Sequence, residues 1–508
     1  MPESNAPSIA IVGAGFAGLG MGYYLKKSGI ESFTIFEKAG DVGGVWRENT
    51  YPGAACDVPS HLYSFSFDPH YPWSTAFGPQ REILDYQRQL ARKYNLLRHI
   101  RFGREIAGAR FDAARGVWTI RCSDGEIVEA QVLITAVGQL HRPALPDVPG
   151  METFAGPSFH SAKWDHGVDL AGKVVASIGT GPSAIQYVPE IAKRVRHLHV
   201  FQRTPAWCLH KSDRVYTRPE RWLLRTWPWT HTLDRLRIFW YIEFVASVIQ
   251  RNSLFHGLSK RIVRLIHQIL LRRNVADPAL RAQLTPDFPV GCKRLLFSND
   301  WFRTLTRPNV ELVTTAIVEI TPTGIVTADG RHRPVDAIVY GTGFATAHFL
   351  APMDIVGRGG ASLRERWKAG ADAYLGMTVA DFPNFFMLYG PNTNLGIGTM
   401  LFMLERQQRY VVRCIEALRD RGLRSLEVRA DAQKAFNAEL QRRGADLVYF
   451  GGCKSWYIVN GRNTQNWIGY MTEYGRRVRR PRFDHYELTP GRNGAPPVDL
   501  DHPEGAPS

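Results

Sequence analysis

The sequence lacks any close pair of cysteines. Its six cysteines are spread along the chain without a Cys-x-x-Cys motif: Cys56, Cys122, Cys208, Cys292, Cys414 and Cys453. Disulfide-rich scaffolds, zinc sites and dithiol redox centres need cysteines at short, fixed spacings. We therefore predict none of these, assign no metal site, and expect a reducing compartment, which favours the cytoplasm.

Long apolar runs and a leader-like N-terminus are also missing. No apolar stretch reaches the ~20 residues that span a bilayer, and the opening MPESNAPS has neither a basic stretch nor an apolar core. A secretory signal or lipid anchor is not indicated. With 508 residues, of which 44% are hydrophobic, the chain is long enough for two or three globular domains.

Acidic residues are scarce relative to basic ones, and the formal net charge is +16. Such a charge suits nucleic acid, an anionic membrane or the phosphates of bound dinucleotides. Between residues 221 and 273, ten Lys or Arg stand against two acidic residues and alternate with aromatic ones: Trp222, Trp227, Trp229, Phe239, Trp240 and Tyr241. This segment is predicted either to pack as a helical insertion on its own domain or to touch a membrane peripherally.

A glycine-rich loop, GAGFAG, follows the first apolar strand and carries Gly13, Gly15 and Gly18. The first glycine permits a tight turn, the second lets the backbone approach a pyrophosphate, and the third lets helix and strand pack. The next strand, FTIFE, ends at Glu37, which is placed to accept hydrogen bonds from ribose hydroxyls. The pattern predicts an FAD site.

The pattern repeats in GTGPSA, with Gly179, Gly181 and, in place of the third glycine, Ala184. The following strand leads to Arg203 instead of an acid. A guanidinium there pairs with a 2′-phosphate, and Thr204 offers a hydroxyl donor to the same group, so we predict NADPH; the alternative is that Arg203 is a solvated surface charge. Together the loops predict an α/β fold with two interleaved Rossmann-like dinucleotide-binding domains, for FAD and NADP.

Between the two loops lies FAGPSFHSAKWD, residues 154–165. It has Phe154, Gly156, His160, Trp164 and Asp165 at the spacing Phe-x-Gly-x-x-x-His-x-x-x-Trp-Pro/Asp, and so resembles the signature of flavin-dependent Baeyer–Villiger monooxygenases. The resemblance implies that this segment connects the FAD and NADPH domains. We expect His160 to orient the connection by hydrogen bonds and Trp164 to anchor it by packing, not to act in the chemistry.

The resemblance extends over about residues 8–485. GGVWRENTYPGAACD, residues 43–57, is similar to a family stretch that lies along the flavin. The resemblance implies that Gly44 and Trp46 contact FAD and that Asp57 lies close to the isoalloxazine ring.

Two later segments complete the family pattern. CKRLLFSND, residues 292–300, resembles the segment that supplies the active-site arginine, here Arg294, and its neighbour Lys293 matches a residue implied to contact the NADPH 2′-phosphate. CKSWYIVNGRN, residues 453–463, resembles the C-terminal loop that closes over NADPH and substrate. We expect the Trp456 side chain to cover NADPH and substrate, because a large aromatic ring can shape a pocket.

The family's chemistry explains why an arginine is needed. The resemblance implies that NADPH reduces the flavin, that O2 then forms a peroxide at flavin C4a, and that its anion attacks a ketone. The anion needs a fixed positive charge, and arginine keeps its proton at neutral pH and presents a planar fork of donors. We therefore expect Arg294 to stabilise the negative charge of peroxide and adduct, and Asp57 to position Arg294.

The predicted enzyme takes a small-molecule ketone and O2 to an ester or lactone. No nucleic-acid partner is expected, and the oligomeric state stays open. A flavin-containing monooxygenase that oxidises soft nitrogen or sulfur atoms is the alternative. The predicted order along the chain is the first part of the FAD domain (1–150), the first part of the NADP domain (151–215), a helical insertion (216–287), the second parts of the NADP domain (288–335) and the FAD domain (336–485), and a disordered tail (486–508).

Overall fold

The computed structural model describes residues 6–227, 229–249, 256–346, 349–445, 447 and 457–491. Two five-stranded parallel sheets form its frame. Most of their strands are short apolar runs that are buried, as expected of parallel sheets covered by helices. The predicted fold class, two interleaved Rossmann-like domains with a helical insertion, is confirmed.

The first part of the chain builds most of the first sheet. β1 lies between β7 and β2, with Ile9 opposite Val132 and Phe33, and β3 pairs with β2. β4, β5 and β6 form an antiparallel sheet beside it. The elements are β1 (Ile9–Val12), α1 (Phe16–Lys27), β2 (Phe33–Glu37), α2 (Val45–Glu48), α3 (Gln80–Lys93), β3 (Ile100–Phe102), β4 (Ile106–Asp112), β5 (Val117–Cys122), β6 (Ile127–Ala130) and β7 (Val132–Thr135).

The middle of the chain builds the second sheet, in the order β13-β10-β9-β17-β8. Its elements are β8 (Ser158–His160), β9 (Val174–Ile178), α4 (Ala184–Ile191), β10 (His197–Phe201), β11 (Cys208–Leu209), α5 (Arg218–Thr226), α6 (Trp229–Ile249), α7 (His256–Asn274), α8 (Pro278–Gln283), β12 (Leu296–Phe297), α9 (Trp301–Leu305), β13 (Val310–Val313), β14 (Ile317–Thr321), β15 (Gly324–Thr327), β16 (His332–Pro334) and β17 (Ala337–Tyr340). The predicted boundary between residues 335 and 336 is therefore one strand too early, because the buried run AIVY pairs between β9 and β8.

The last part of the chain returns to the first sheet, where β19 pairs with β7. Its elements are β18 (Asp354–Val356), α10 (Leu363–Arg366), β19 (Phe385–Met387), α11 (Met400–Asp420), β20 (Leu423–Val428), α12 (Ala430–Gly444), β21 (Ile458–Val459), β22 (Arg462–Asn463), α13 (Met471–Arg477) and β23 (Tyr486–Pro490). The predicted disordered tail is wrong over residues 486–490, because β23 pairs with β20 and the buried Tyr486 hydroxyl lies 2.7 Å from that of Tyr410. Residues 492–508 lie outside the described residues.

Helices α5 to α8 form the insertion between β11 and β12. α6 attaches to the first domain, where its Asp234 lies 2.7 Å from His61. α7 attaches to the second, where its His267 ring lies 4.9 Å from that of Trp207. The predicted packing of the helical insertion on the protein is seen in these contacts, whereas Trp222, Trp229 and Trp240 are each 60% exposed.

None of the described helices, those of the insertion included, is both long enough and apolar enough to cross a membrane.

Candidate active site

The loop between β1 and α1 requires glycine at two of its three predicted positions. Gly13 has φ +106°, and a Cβ there would lie 2.7 Å from the carbonyl oxygen of Ala136, just past β7. A Cβ at Gly18 would overlap the carbonyl oxygen of Gly13. At Gly15 the nearest atom to a built Cβ is the Cα of Gly44, 3.7 Å away, so the two predicted FAD glycines lie backbone to backbone.

Glu37, the last residue of β2, is 5% exposed and lies beside this loop. One carboxylate oxygen accepts a hydrogen bond from the backbone N–H of Ala14 at 2.9 Å, and the other accepts one from Ala39 at 3.0 Å. Arg47 lies 3.3 Å from the second oxygen. Because a carboxylate oxygen has two lone pairs, each can still accept a bond from a ligand hydroxyl.

The loop between β9 and α4 repeats the geometry of the first. Gly179 also has φ +106°, and a Cβ there would overlap the carbonyl oxygen of Gly341, just past β17. At Gly181 a built Cβ meets nothing nearer than 4.0 Å, which leaves the loop open on that side. The hydroxyl of Thr180 donates to the carbonyl oxygen of Thr204 at 3.4 Å and ties the loop to the end of the neighbouring strand.

Arg203 is exposed two residues beyond β10, and none of the described carboxylates pairs with it. Lys293 lies near it: burial and then the charge of Arg203 lower the pKa of Lys293. The Lys293 ammonium sits 4.7 Å from the centre of the Phe288 ring. Two cations that repel each other in this way form a place where an anion would be stabilised.

His160 is buried at the end of β8, where it stands opposite Tyr340 of β17. Its Nδ1 accepts a hydrogen bond from the backbone N–H of Ala162 at 3.1 Å, and its ring lies 5.7 Å from Phe344. Burial lowers the pKa of His160, which keeps the ring neutral and Nδ1 an acceptor. These contacts fix the course of the chain that follows β8.

The rest of the signature segment has packing or turn contacts. The Trp164 ring lies 5.2 Å from Phe159 and 5.5 Å from Tyr187 of α4. A Cβ at Gly156 would lie 2.6 Å from the carbonyl oxygen of Asp336 and 2.9 Å from the Phe154 ring, so the position has no room for a side chain. The carboxylate of Asp165 accepts from the backbone N–H of Gly167 at 2.9 Å.

The segment 51–57 bridges the two domains by docking on α4. The Gln186 amide oxygen accepts from the Tyr51 hydroxyl at 3.0 Å and from the Ala55 N–H at 3.3 Å, while the Gln186 amide donates to the Ala55 carbonyl at 3.0 Å. Gly53 has φ +77°, and a Cβ there would lie 2.8 Å from the Gln186 carbonyl oxygen. Trp46 precedes this segment and donates to the Tyr63 hydroxyl at 3.0 Å. No local sequence pattern indicates Gln186, because it lies 131 residues from Ala55.

This docking brings Asp57 to Arg294, 237 residues away in sequence. Nε and Nη2 of Arg294 both donate to Oδ2 of Asp57, at 3.1 and 2.6 Å. The side chains are 34% and 29% exposed. Asp57 raises the pKa of Arg294, which keeps the guanidinium charged. No hydrogen bond from a described residue reaches Nη1 of Arg294 or Oδ1 of Asp57.

Two tyrosines border this pair, and the sequence singled out neither. Tyr389 and Tyr457 are both near enough to Arg294 to affect its pKa. Tyr389 has φ +64°, unusual for a bulky residue; its N–H donates to Gln407 at 3.0 Å and its hydroxyl to Asn394 at 2.7 Å. It lies between β19 and α11, in the segment FPNFFMLYGPNTNLG, residues 382–396. Trp456, which is predicted to cover NADPH and substrate, lies outside the described residues.

Cys292, two residues before Arg294, is disulfide-bonded. The prediction concerned disulfide-rich scaffolds and rested on spacing, which detects only cysteines that are close in sequence, so this single bond was not indicated. Among the described residues the free cysteines are Cys56, Cys122, Cys208 and Cys414.

The N-terminus of α11 completes the candidate site. The side chain of its N-cap residue, Thr399, makes no hydrogen bond to the first turn of the helix. The buried Thr399 hydroxyl has no partner among the described residues. The first amides of a helix and its dipole favour a negative charge. The N-terminus of this 21-residue helix can therefore hold an electron-rich group of a ligand.

The chain is similar over most of its length to known proteins. Residues 6–227 match the family model described as flavin-binding monooxygenase-like. A protein of Streptomyces coelicolor named Baeyer-Villiger monooxygenase is 41% identical over 97% of this chain and 95% of its own.

Two solved structures share the whole fold. A steroid monooxygenase in its oxidised form, bound to NADP, has a TM-score of 0.86 at 31% identity and covers 96% of this chain and 100% of its own. A structure titled OTEMO, in complex with FAD and NADP, has a TM-score of 0.86 at 27% identity with the same coverage of both chains.

Proposed function

The chain belongs to the Baeyer–Villiger monooxygenases, and we propose that its Arg294–Asp57 pair is the centre at which a ketone is oxygenated. The enzyme is an FAD- and NADPH-dependent flavoprotein that converts ketones to esters or lactones with O2. The observation that supports the proposed centre is the 2.6 Å ion pair, formed between the FAD-type segment 51–57 and the arginine of the second domain.

The first loop and its surroundings fit FAD. We assign the pyrophosphate to the open side of Gly15 and the N-terminus of α1, and the ribose to Glu37, whose oxygens keep free lone pairs. Gly44 lies against Gly15, and Trp46 follows it in α2. The Thr399 hydroxyl and the uncapped N-terminus of α11 suit the electron-rich edge of the flavin.

The second loop fits NADPH. Gly181 leaves space for the pyrophosphate, and the facing cations Arg203 and Lys293 suit the 2′-phosphate that distinguishes NADPH from NADH. Thr204 is tied to the loop through its backbone and adds a hydroxyl. The signature residues hold the connection between the two domains in place, and His160 and Trp164 do so without touching Arg294 in any described contact.

FAD held at the first loop would supply the redox chemistry, accepting a hydride from NADPH and activating O2. Arg294 provides the fixed charge for the oxygen-centred anion that this chemistry requires, since Nε and Nη2 hold Asp57 while Nη1 has no hydrogen bond to a described residue and can donate. A preorganised donor of this kind contributes about 10²- to 10³-fold in rate. Asp57 fixes the guanidinium plane and keeps it charged.

We propose an apolar ketone, aromatic or long-chain, as the substrate class. The rings of Tyr389 and Tyr457 lie near Arg294, and burial raises the pKa of both hydroxyls, which keeps them neutral. Neutral aromatic walls favour an apolar substrate over a charged one.

The test is a panel of ketones and sulfides incubated with the purified yellow protein, NADPH and ¹⁸O2. We expect esters or lactones that carry one ¹⁸O atom, formed in step with NADPH oxidation. NADPH oxidation that yields only hydrogen peroxide with every ketone, or oxygenation of sulfides alone, would contradict the proposal.

A further inference from the structure

Helix α6 has its polar contacts on the side that faces the protein. Asp234 accepts from His61 at 2.7 Å, and the Arg235 guanidinium donates to the carbonyl oxygens of His61 and Ser64 at 2.8 Å. The helix of a globular protein usually buries an apolar stripe and exposes charged residues. α6 departs from this pattern, because its protein-facing side holds these charged residues beside apolar ones such as Ile238, while many of its other apolar residues are exposed.

The outward face of α6 is an apolar stripe. Its members are 48–65% exposed and recur at intervals of three or four residues: Trp229, Leu233, Leu236, Trp240 and Phe244. Helix α7, which packs against α6, has a second such stripe, 40–56% exposed: Leu258, Ile262, Leu265 and Ile269. Trp222 and Trp227 of the adjoining segment add two more exposed rings, 5.9 Å apart. We call these residues the apolar face of the insertion.

The apolar face is too large to be ordinary surface. Its five aromatic side chains are 48–65% exposed. At about 200 Å² for a whole aromatic side chain, they alone present on the order of 600 Å², and the six exposed Leu and Ile side chains of the face add to that area. A soluble monomer's largest apolar patch is usually about 300–600 Å² and is often a binding site.

The charge around the apolar face is positive. The described parts of α5, α6 and α7 contain ten Lys or Arg against three acidic residues. Those three are engaged within the protein: Glu220 with Arg214, Asp234 with His61, and Glu243 with the backbone of Thr472. Seven arginines have no ion pair with any described residue: Arg218, Arg221, Arg225, Arg261, Arg264, Arg272 and Arg273.

We propose that the apolar face of the insertion docks the enzyme on an anionic lipid surface. Tryptophan, leucine and isoleucine side chains enter the boundary between headgroups and acyl chains, and the unpaired arginines bind the lipid phosphates. A second copy of the chain fits less well, because a two-fold contact through this face would bring the same unpaired arginines against each other.

Vesicle binding tests the proposal and does not depend on turnover. The full-length FAD-loaded protein is floated with phosphatidylcholine vesicles, with or without a quarter of phosphatidylglycerol, at 0.15 M salt. We expect binding to the anionic vesicles that is at least about tenfold tighter than to the neutral ones, because each nearby basic residue adds attraction to anionic lipid.

Two double variants separate the apolar and ionic contributions to vesicle binding. Trp240→Ser with Phe244→Ser should weaken binding at least about tenfold, and Arg221→Gln with Arg225→Gln should reduce the preference for anionic lipid. Matched controls remove exposed residues elsewhere, Ile127→Ser with Val318→Ser (63% and 51% exposed) and Arg110→Gln with Arg121→Gln, and should leave binding unchanged.

Tryptophan quenching by lipids brominated on the acyl chain gives a second test without any substitution, and wild-type protein should be quenched on anionic vesicles. The proposal is overturned if wild-type protein neither floats with anionic vesicles nor is quenched. It is also overturned if light scattering shows a lipid-free dimer that Trp240→Ser with Phe244→Ser dissociates, while vesicles bind neither protein.

Discussion

The two dinucleotide-binding loops are alike where they turn and different where their strands end. Gly13 and Gly179 have the same φ, +106°, and each lies against a carbonyl oxygen just past a neighbouring strand, that of Ala136 or Gly341. Both loops thus make the same turn in front of a helix N-terminus. This shared part suits the pyrophosphate, which both cofactors contain.

The two loops differ in the residue near the end of the following strand, β2 or β10. Glu37 is buried and accepts hydrogen bonds from two backbone amides, whereas Arg203 is exposed and has no ion pair with a described residue. A buried, preorganised partner suits a cofactor that stays bound, and an exposed cation suits one that enters and leaves. We therefore propose that the turn selects a dinucleotide and that the strand end selects which one.

The largest effect is expected from substitutions at the third glycine-type position of the two dinucleotide-binding loops, Gly18 and Ala184. Gly18→Ala puts a methyl group into the carbonyl oxygen of Gly13, and overpacking against backbone costs about 3 kcal/mol or more. We expect FAD affinity to fall at least about a hundredfold. Ala184→Gly only removes a methyl group at a helix start, and the KM for NADPH should change less than about twofold.

Flavin absorbance per protein after gel filtration measures the first effect, and steady-state kinetics the second. Full flavin occupancy in Gly18→Ala would show that the loop does not need its third glycine.

Glu37→Gln tests the buried strand end. The substitution removes a charge that two amides and Arg47 stabilise, so FAD should bind about 10- to 50-fold more weakly, as for a charged buried hydrogen bond. The KM for NADPH should not change. Titration of apoprotein with FAD measures the affinity, with Glu31→Gln (51% exposed) as the matched control; an affinity within twofold of wild type would contradict the assignment.

Arg203→Gln tests the exposed strand end. We expect kcat/KM for NADPH to fall about tenfold, because an exposed charge pair with phosphate is partly screened, and that for NADH to change less than twofold. Arg194→Gln, 70% exposed on the same domain, is the control. An equal loss of kcat/KM with both coenzymes would indicate that another residue binds the 2′-phosphate.

A smaller effect, on the pH dependence of stability, is expected at His231 of α6, where the insertion contacts the first domain. Burial, followed by the charges of His61 and His70, lowers the pKa of His231 to about 4. The unfolded chain takes up a proton near pH 6.5 and the folded one does not, so stability is complete above pH 6.5 and falls as the pH drops toward 4. Between pH 7 and 5.5 the loss should be about 1 kcal/mol.

Denaturant unfolding of wild type and His231→Gln at the two pH values measures this loss. The variant should lose about 1 kcal/mol less than wild type over this range. The same pH dependence in both proteins would contradict a neutral, buried His231.

Much of this architecture could be predicted from local pattern. Strand, glycine-rich loop, helix and strand occur in order, so both Rossmann halves and the residues Glu37 and Arg203 follow from sequence. Arg294 and Asp57 came only from resemblance, because no spacing relates residues 237 positions apart. Gln186, Tyr389 and Tyr457 depend on how the domains dock, for which the chain has no local signal.

The missed strand and the open alternatives for the insertion have a similar cause. The strand at 486–490 is short and follows a polar, basic stretch, so its partner β20 decides its structure. The exposed apolar face of the insertion was compatible with core packing by periodicity alone, since a helical stripe does not indicate which side faces solvent.

We propose that the Arg294 guanidinium stabilises the anion that oxygenates the ketone. The decisive measurement is rapid mixing of the Arg294→Ala holoenzyme with NADPH, followed by product analysis with ketone and O2, with Arg294→Lys as the variant that keeps the charge. In Arg294→Ala, flavin reduction should stay within a few-fold of wild type, while ester formation should fall by about 10²- to 10³-fold and NADPH oxidation should become uncoupled from it. Ester formation at the wild-type rate in Arg294→Ala would remove Arg294 from this role.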